Sequence, residues 1–369
     1  MRKGFFGAAP PKRADPPREP RGDPNDGLGF DRAFEEALLA QEARADGATK
    51  ASSSGGGDDL GVALRSSAVN ATSLDGVLTK HWPHGHVITP SADGHADNVM
   101  LMLHGRGDVP APFAKLARRM ALPRTVCVAL QGPHPIPFVD DGRAWFTFMD
   151  QENFEPIDGT DLTDTRRTDS LERVVTRLSN LIDKLTDPAA APSWRGSRVH
   201  LFGFSDGGTV ALTCAMRARG ERRLGGCATV CASLLPEQLR TMTKEDDDVD
   251  ANEVNGEPTP VTLTAGASDR IVSVSSVRET SDTLIDAHPG HVACVHVVPG
   301  KGHAMVGGAG GEDEMKHLMG FWALTLWRPD GGRMEASDLG EDVIEVDGTN
   351  AVVERVVVEE ETGDPYALD

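Results

Sequence analysis

Cysteine is scarce and patternless here. Five cysteines in 369 residues, with no C-x-x-C pair and no metal-ligand spacing, provide neither a disulfide framework nor a metal site. Cys127, Cys214, Cys227, Cys231 and Cys294 read instead as buried thiols in a reducing compartment, so cytoplasmic is the default address. No apolar run approaches a membrane span, Met1–Pro10 is too short for a signal-peptide core, and Arg2 stands where N-myristoylation requires glycine. Stable membrane insertion is therefore not expected. Basic charge is outweighed, 37 Lys and Arg against 57 Asp and Glu for a net charge of −20, and binding to a phosphate backbone needs clustered Lys/Arg. Nucleic acid is not an expected partner. No internal repeat is visible.

What the chain does have is a patterned middle between two polar ends. Residues 1–75, rich in Pro, Gly, Ser, Asp and Arg, read as a disordered or weakly structured extension. Residues 76–328 carry the apolar patterning of one α/β domain, with an acidic loop insertion at about 244–257. An acidic tail occupies 329–369.

Within the domain, strand-like and helix-like segments alternate. Asn98–Leu103, Thr125–Leu130, Val199–Phe202, Gly226–Ala232, Pro260–Ala265 and Val292–Val298 are short apolar strands. Between them, Phe113, Leu116, Ala117 and Met120 recur at helical spacing, as do Leu171, Val174, Val175, Leu178, Leu181, Ile182 and Leu185. Asp169 and Glu172 suggest a capping box for the second helix. Further helices are expected near Ser276–Ala287 and Glu314–Leu326. Buried strands alternating with amphipathic helices give a mostly parallel sheet covered on both faces, with no large cap domain. In such folds the working residues sit in loops at the carboxyl ends of the strands.

One motif stands at such a strand end. Gly203-Phe204-Ser205-Asp206-Gly207 is G-x-S-x-G between a strand and a helix, the form of a nucleophile elbow, with Gly203 and Gly207 leaving room for the turn. A serine hydroxyl needs a base, itself oriented by a carboxylate, and behind such an elbow these follow in the order acid, then histidine. Asp269 lies just past the strand ending at Gly266, and His303 just past the one ending at Val298. His104, His288, His291, His296 and His317 are weaker candidates by position, with His104 bracing its loop. The developing oxyanion needs donors. The backbone N–H groups of Asp206 and of Arg106, in the loop Gly105-Arg106-Gly107, are the expected pair. Phe138, Trp145, Phe146, Phe148 and Phe154 cluster ahead of the elbow, and Trp145 and Phe146 are expected to contact substrate. No metal or organic cofactor is required.

These residues together resemble the phospholipase/carboxylesterase family of α/β-hydrolases, which includes the acyl-protein thioesterases. The likeness spans about residues 97–327 through L-H-G-R-G-D at Leu103–Asp108, A-W-F at Ala144–Phe146, G-F-S-D-G-G at Gly203–Gly208, A-S-D-R-I-V at Ala267–Val272, and Gly302-His303. It implies an α/β-hydrolase fold and a monomer or weak dimer. The implied activity is hydrolysis of carboxylic esters or thioesters with apolar acyl chains, on a small-molecule or lipid-like substrate or an S-acylated protein. The triad it implies is Ser205, Asp269 and His303, with Arg106 and Asp206 as oxyanion donors. Two positions depart from the family pattern: Asp206 stands where Gln is frequent, and Arg106 where the acyl-protein thioesterases commonly have Leu. Dienelactone- or peptide-hydrolase-like chemistry, or a catalytically silent binding protein on the same fold, stay open as alternatives.

Overall fold

Six-residue runs such as Asn-Val-Met-Leu-Met-Leu offer apolar side chains to both faces, so they are stable only where both faces are covered. In the computed structural model, which describes residues 73–150, 152–242, 258–287, 293–307 and 310–326, β2 (Asn98–Leu103) and β3 (Thr125–Leu130) are buried along their whole length. They are joined by β1 (His86–Thr89), β6 (Val199–Phe204), β7 (Gly226–Val230), β8 (Val261–Gly266) and β9 (Ala293–Val298) in one sheet of order β1-β3-β2-β6-β7-β8-β9. Strand β1 runs antiparallel to β3, and every other neighbouring pair is parallel. A separate two-stranded ribbon pairs β4 (His134–Pro135) with β5 (Arg143–Ala144). This is an α/β-hydrolase-like fold.

Alternation along the strands divides the core in two. Val99, Leu101 and Leu103 face α1 (73–81), α3 (Arg166–Leu185), α4 (Asp206–Arg217) and α6 (Val274–Asp286). Met100 and Met102 face α2 (Pro110–Met120) and α7 (Gly311–Thr325) on the other side. A short helix, α5 (Pro236–Met242), completes the described α-helices. No helix among the described residues is long and apolar enough to cross a membrane.

The structure departs from the sequence reading at α1, at the start of α3 and at one cysteine. Helix α1 buries Leu74 and Leu78, and Trp82 behind it donates from Nε1 to the Gln131 carbonyl at 3.0 Å. The boundary drawn between residues 75 and 76 thus falls inside a packed helix, and the rest of the extension lies outside the described residues, as do the acidic insertion, the tail, His288 and His291. Helix α3 begins before the anticipated capping box. Thr165 precedes its first turn and donates from Oγ1 to Asp169 at 2.8 Å, while Glu172 pairs with Arg217 of α4 at 2.6 Å. Of the cysteines, Cys294 is exposed on β9, and the other four are buried; all five are free.

Two histidines outside the site are held neutral by the fold. Burial pushes the His200 imidazole down to about 3. Its ring meets Trp322 edge-on at 5.8 Å, and neither ring nitrogen has a hydrogen-bond partner. Burial likewise pushes His317 down to about 4. The unfolded chain binds these protons near pH 6.5 and the folded chain does not, so this stability is complete above that pH and is lost as pH falls toward 4. The urea midpoint of the wild type is accordingly expected to fall between pH 7 and pH 5. His200→Leu, which removes one such proton site without orphaning a partner, should flatten that slope by up to about 1.4 kcal/mol per pH unit.

Candidate active site

The site is built where four parallel strands end together. β2 leads to the Gly105-Arg106-Gly107 loop, β6 to Ser205, β8 to Asp269 and β9 to His303. At the end of β6 the chain turns into α4 so tightly that Ser205 adopts φ +50° and ψ −125°, a backbone conformation that persists only when its surroundings hold it. Glycine makes the turn possible. A Cβ on Gly207 would stand 2.3 Å from the His104 carbonyl oxygen, and one on Gly203 would stand 2.5 Å from the Gly208 Cα. The turn is held by the Ser205 N–H donating to the Val230 carbonyl and by the Ser205 carbonyl accepting from the Thr209 N–H, each at 3.0 Å.

Asp269, His303 and Ser205 are joined in one hydrogen-bonded line. His303 Nδ1 lies 2.8 Å from Asp269 Oδ2, and Nε2 lies 2.9 Å from Ser205 Oγ. An ionised carboxylate only accepts, so Nδ1 carries the proton and the Nε2 lone pair faces the serine hydroxyl. Burial works against the Asp269 charge, but N–H donation from Val272, the His303 imidazole and the Ile271 N–H outweigh it and hold this carboxyl below its ordinary value. The loops carrying Asp269 and His303 are tied directly, because the Ser268 N–H donates to the Lys301 carbonyl at 2.8 Å. Gly266 permits that crossing; a Cβ there would sit 2.4 Å from the Lys301 oxygen.

The His303 loop has supports that sequence reasoning missed. Lys301, two residues before His303, buries its ammonium against the Glu314 carboxylate of α7, which also accepts from Thr264 Oγ1. The two charged side chains are 2% and 0% exposed. On the loop's other side, Cys231 Sγ meets the carbonyls of Gly302 and Ala304 at 3.8 and 3.6 Å, and the Phe204 ring lies 5.2 Å from the His303 ring. None of these has a sequence signature, because the partners come from separate elements. Among the described residues, Cys231, Asp269 and His303 alone group three potential metal-ligand atoms within 4.8 Å. Their chemistry does not suit a cation. Burial pushes the Cys231 thiol up to about 11, so it keeps its proton, and the His303 Nδ1 is already engaged by Asp269.

The loop after β2 is shaped from beneath by His104. Its Nε2 accepts from the Gly132 N–H at 2.9 Å and its Nδ1 donates to the Gly105 carbonyl at 2.7 Å, while burial pushes it down to about 4. With both nitrogens engaged and its ring fully enclosed, it braces the loop and is no rival to His303. Trp145 and Phe146, expected against substrate, are instead fully buried in the core. Trp145 stands under the loop rather than over it: its Nε1 donates to the His104 carbonyl at 2.7 Å. The aromatic residue at the site's mouth is half-buried Phe148, whose ring lies 4.2 Å beneath the Arg106 guanidinium. That guanidinium grips Asp206, with Nε donating to Oδ2 at 2.7 Å and the second nitrogen to Oδ1 at 3.0 Å.

A family model described as Phospholipase/Carboxylesterase matches residues 84–322. The chain belongs to this family of hydrolases. An uncharacterised hydrolase of Mycosarcoma maydis is 32% identical over 131 residues, covering 35% of this chain and 45% of that protein. Another, from Schizosaccharomyces pombe, is 31% identical over 134 residues, 35% of this chain and 50% of its own length. The chain therefore spans about half the length of the curated relatives it matches. Among solved structures, that of esterase PE8 superposes with a TM-score of 0.50 at 22% identity, over 64% of this chain and 97% of that one, a likeness of fold.

The buried Lys301–Glu314 pair yields a stability prediction. Lys301→Met leaves a carboxylate enclosed without its counter-charge and should cost about 3–5 kcal/mol in urea unfolding. Adding Glu314→Leu should recover most of it; equal losses in the single and double variants would contradict this assignment.

Proposed function

We propose that this member of the family is a serine hydrolase that cleaves carboxylic esters or thioesters. The reading rests on one observation above all: the line Asp269–His303–Ser205, with contacts of 2.8 and 2.9 Å, on a serine at the turn between β6 and α4. Ser205 Oγ attacks the acyl carbonyl carbon while His303 Nε2 takes its proton, and the carbonyl electron pair moves onto oxygen. The Arg106 and Asp206 N–H groups receive that charge. The Asp206 N–H is the first of α4, a position that lacks an acceptor within its own helix, and the helix start adds a favourable dipole. Collapse of the intermediate expels the alcohol or thiol, which takes the proton from His303. Water, deprotonated by His303, then releases the acid and restores Ser205. Asp269 fixes the imidazole tautomer and stabilises the imidazolium throughout.

The substrate favoured is an apolar acyl ester or thioester, as a small molecule, a lipid-like molecule or an S-acylated protein. Phe148 at the mouth, exposed Phe138 and Phe154 in ring contact at 5.2 Å, and exposed Ile271 beside the acid loop supply apolar surface on this side. A cytoplasmic setting suits the free cysteines.

Two substitutions test the reading. Ser205→Ala should abolish both turnover of a short-chain aryl ester and covalent labelling by a fluorophosphonate; undiminished turnover would sink the mechanism. Asp269→Asn, which loses the carboxylate but keeps the shape, should lower kcat by about 1,000-fold or more through the wrong imidazole tautomer. A chain-length series of thioesters beside matched oxyesters then reports acyl and leaving-group preference.

A further inference from the structure

The two residues proposed as oxyanion donors are also tied to each other through their side chains. Asp206 brings a carboxylate to the residue whose N–H faces the developing charge, and its side chain is only 12% exposed. Bulk water therefore screens it poorly, and an uncompensated carboxylate at this distance would oppose the transition state. Its field already reaches the neighbouring His104 imidazole, whose charged form it favours. Arg106 meets that carboxylate as a two-point fork and is itself held over the Phe148 ring. The Arg106 side chain is 40% exposed, but the fork and the ring together hold its guanidinium against the carboxylate.

We propose that Arg106 and Asp206 form a compensated positioning pair, in which the Arg106 guanidinium cancels the Asp206 carboxylate beside the oxyanion site and so sets the rate of the acyl-transfer step. The proposal rests on the serine-hydrolase reading above. It accounts for two departures from the family pattern as one coupled change. Where Leu and Gln occupy these positions there is no charge to cancel; an acid at the second position needs a base at the first. The two side chains act through the field at the oxyanion, while the backbone N–H groups of the same residues make the contact, so the side-chain pair should govern kcat and leave ground-state binding nearly alone.

The test compares Arg106→Leu, Arg106→Lys, Asp206→Gln and the double variant Arg106→Leu/Asp206→Gln on one aryl ester, with kcat expressed per fluorophosphonate-labelled site so that misfolded protein is not counted. Arg106→Leu should lower kcat by about 30-fold, with KM within about threefold, because the bare carboxylate is left beside the oxyanion. Arg106→Lys keeps the charge but loses the fork and the ring contact, and its kcat should fall between those of wild type and Arg106→Leu. Asp206→Gln should cost less than Arg106→Leu, and the double variant should regain at least about tenfold over Arg106→Leu, a coupling that independent sites would not show. Affinity for a boronic acid, whose serine adduct is an anionic tetrahedron, should follow kcat across the series. The proposal is overturned if Arg106→Leu keeps wild-type kcat per labelled site, or if the double variant is no faster than Arg106→Leu. Ser205→Ala separates the two failures: full turnover there removes the serine mechanism itself, whereas a dead Ser205→Ala beside an unaffected Arg106→Leu removes only the pair.

Discussion

The close approach of the β6–α4 turn to the end of β2 is the constraint from which the rest of the site follows. With no side chain on Gly207, the start of α4 lies against the backbone of Leu103 and His104. That contact leaves Ser205 no relaxed conformation and brings the residue after it beside the loop that carries Arg106. One steric condition thus places the hydroxyl and brings the two proposed oxyanion donors together. His104 and Trp145 serve the same end from below, since their hydrogen bonds fix the strand end on which the turn rests. The rigidity lies in the core and the chemistry on its rim.

Asp269 and His303 are positioned by a second contact of the same kind, Gly266 against the Lys301 carbonyl. Here packing alone does not suffice, because the His303 loop is glycine-rich. A buried ion pair to α7 and the thiol of Cys231 hold it from opposite sides. Burying two charges contributes little net stability, but separating them costs a great deal, so the pair specifies one loop position. The His303 imidazole is thus held between Asp269 and Ser205, on a loop tied both to α7 and to Cys231.

Much of this was legible in the chain. β2, β3, β6, β7, β8 and β9 read as strands because their apolar runs are nearly continuous, and Asp269 and His303 stand out because each follows such a run in the expected order. β1 and the β4–β5 ribbon were not legible: four- and two-residue strands carry no periodicity. The helix at 73–81 was obscured by the polar composition before it, and its role appears only once Leu74, Leu78 and Trp82 are seen packed into the core. Trp145 and Phe146 were assigned to substrate on clustering alone, a signal that cannot tell a pocket wall from the floor beneath it. Arg106 and Asp206 were each visible as a departure, but 100 residues apart they read as two oddities.

By itself the sequence determined the fold class and placed Ser205, Asp269 and His303 after strand ends, because apolar periodicity and glycine placement are local properties that survive without coordinates. Only the tertiary structure decided what those residues meet. It joined the Asp206 carboxylate to the Arg106 guanidinium, Lys301 to Glu314, and Trp145 to the loop rather than the pocket. Such pairings depend on where distant segments come to rest, and a charge or a ring in a sequence does not name its partner.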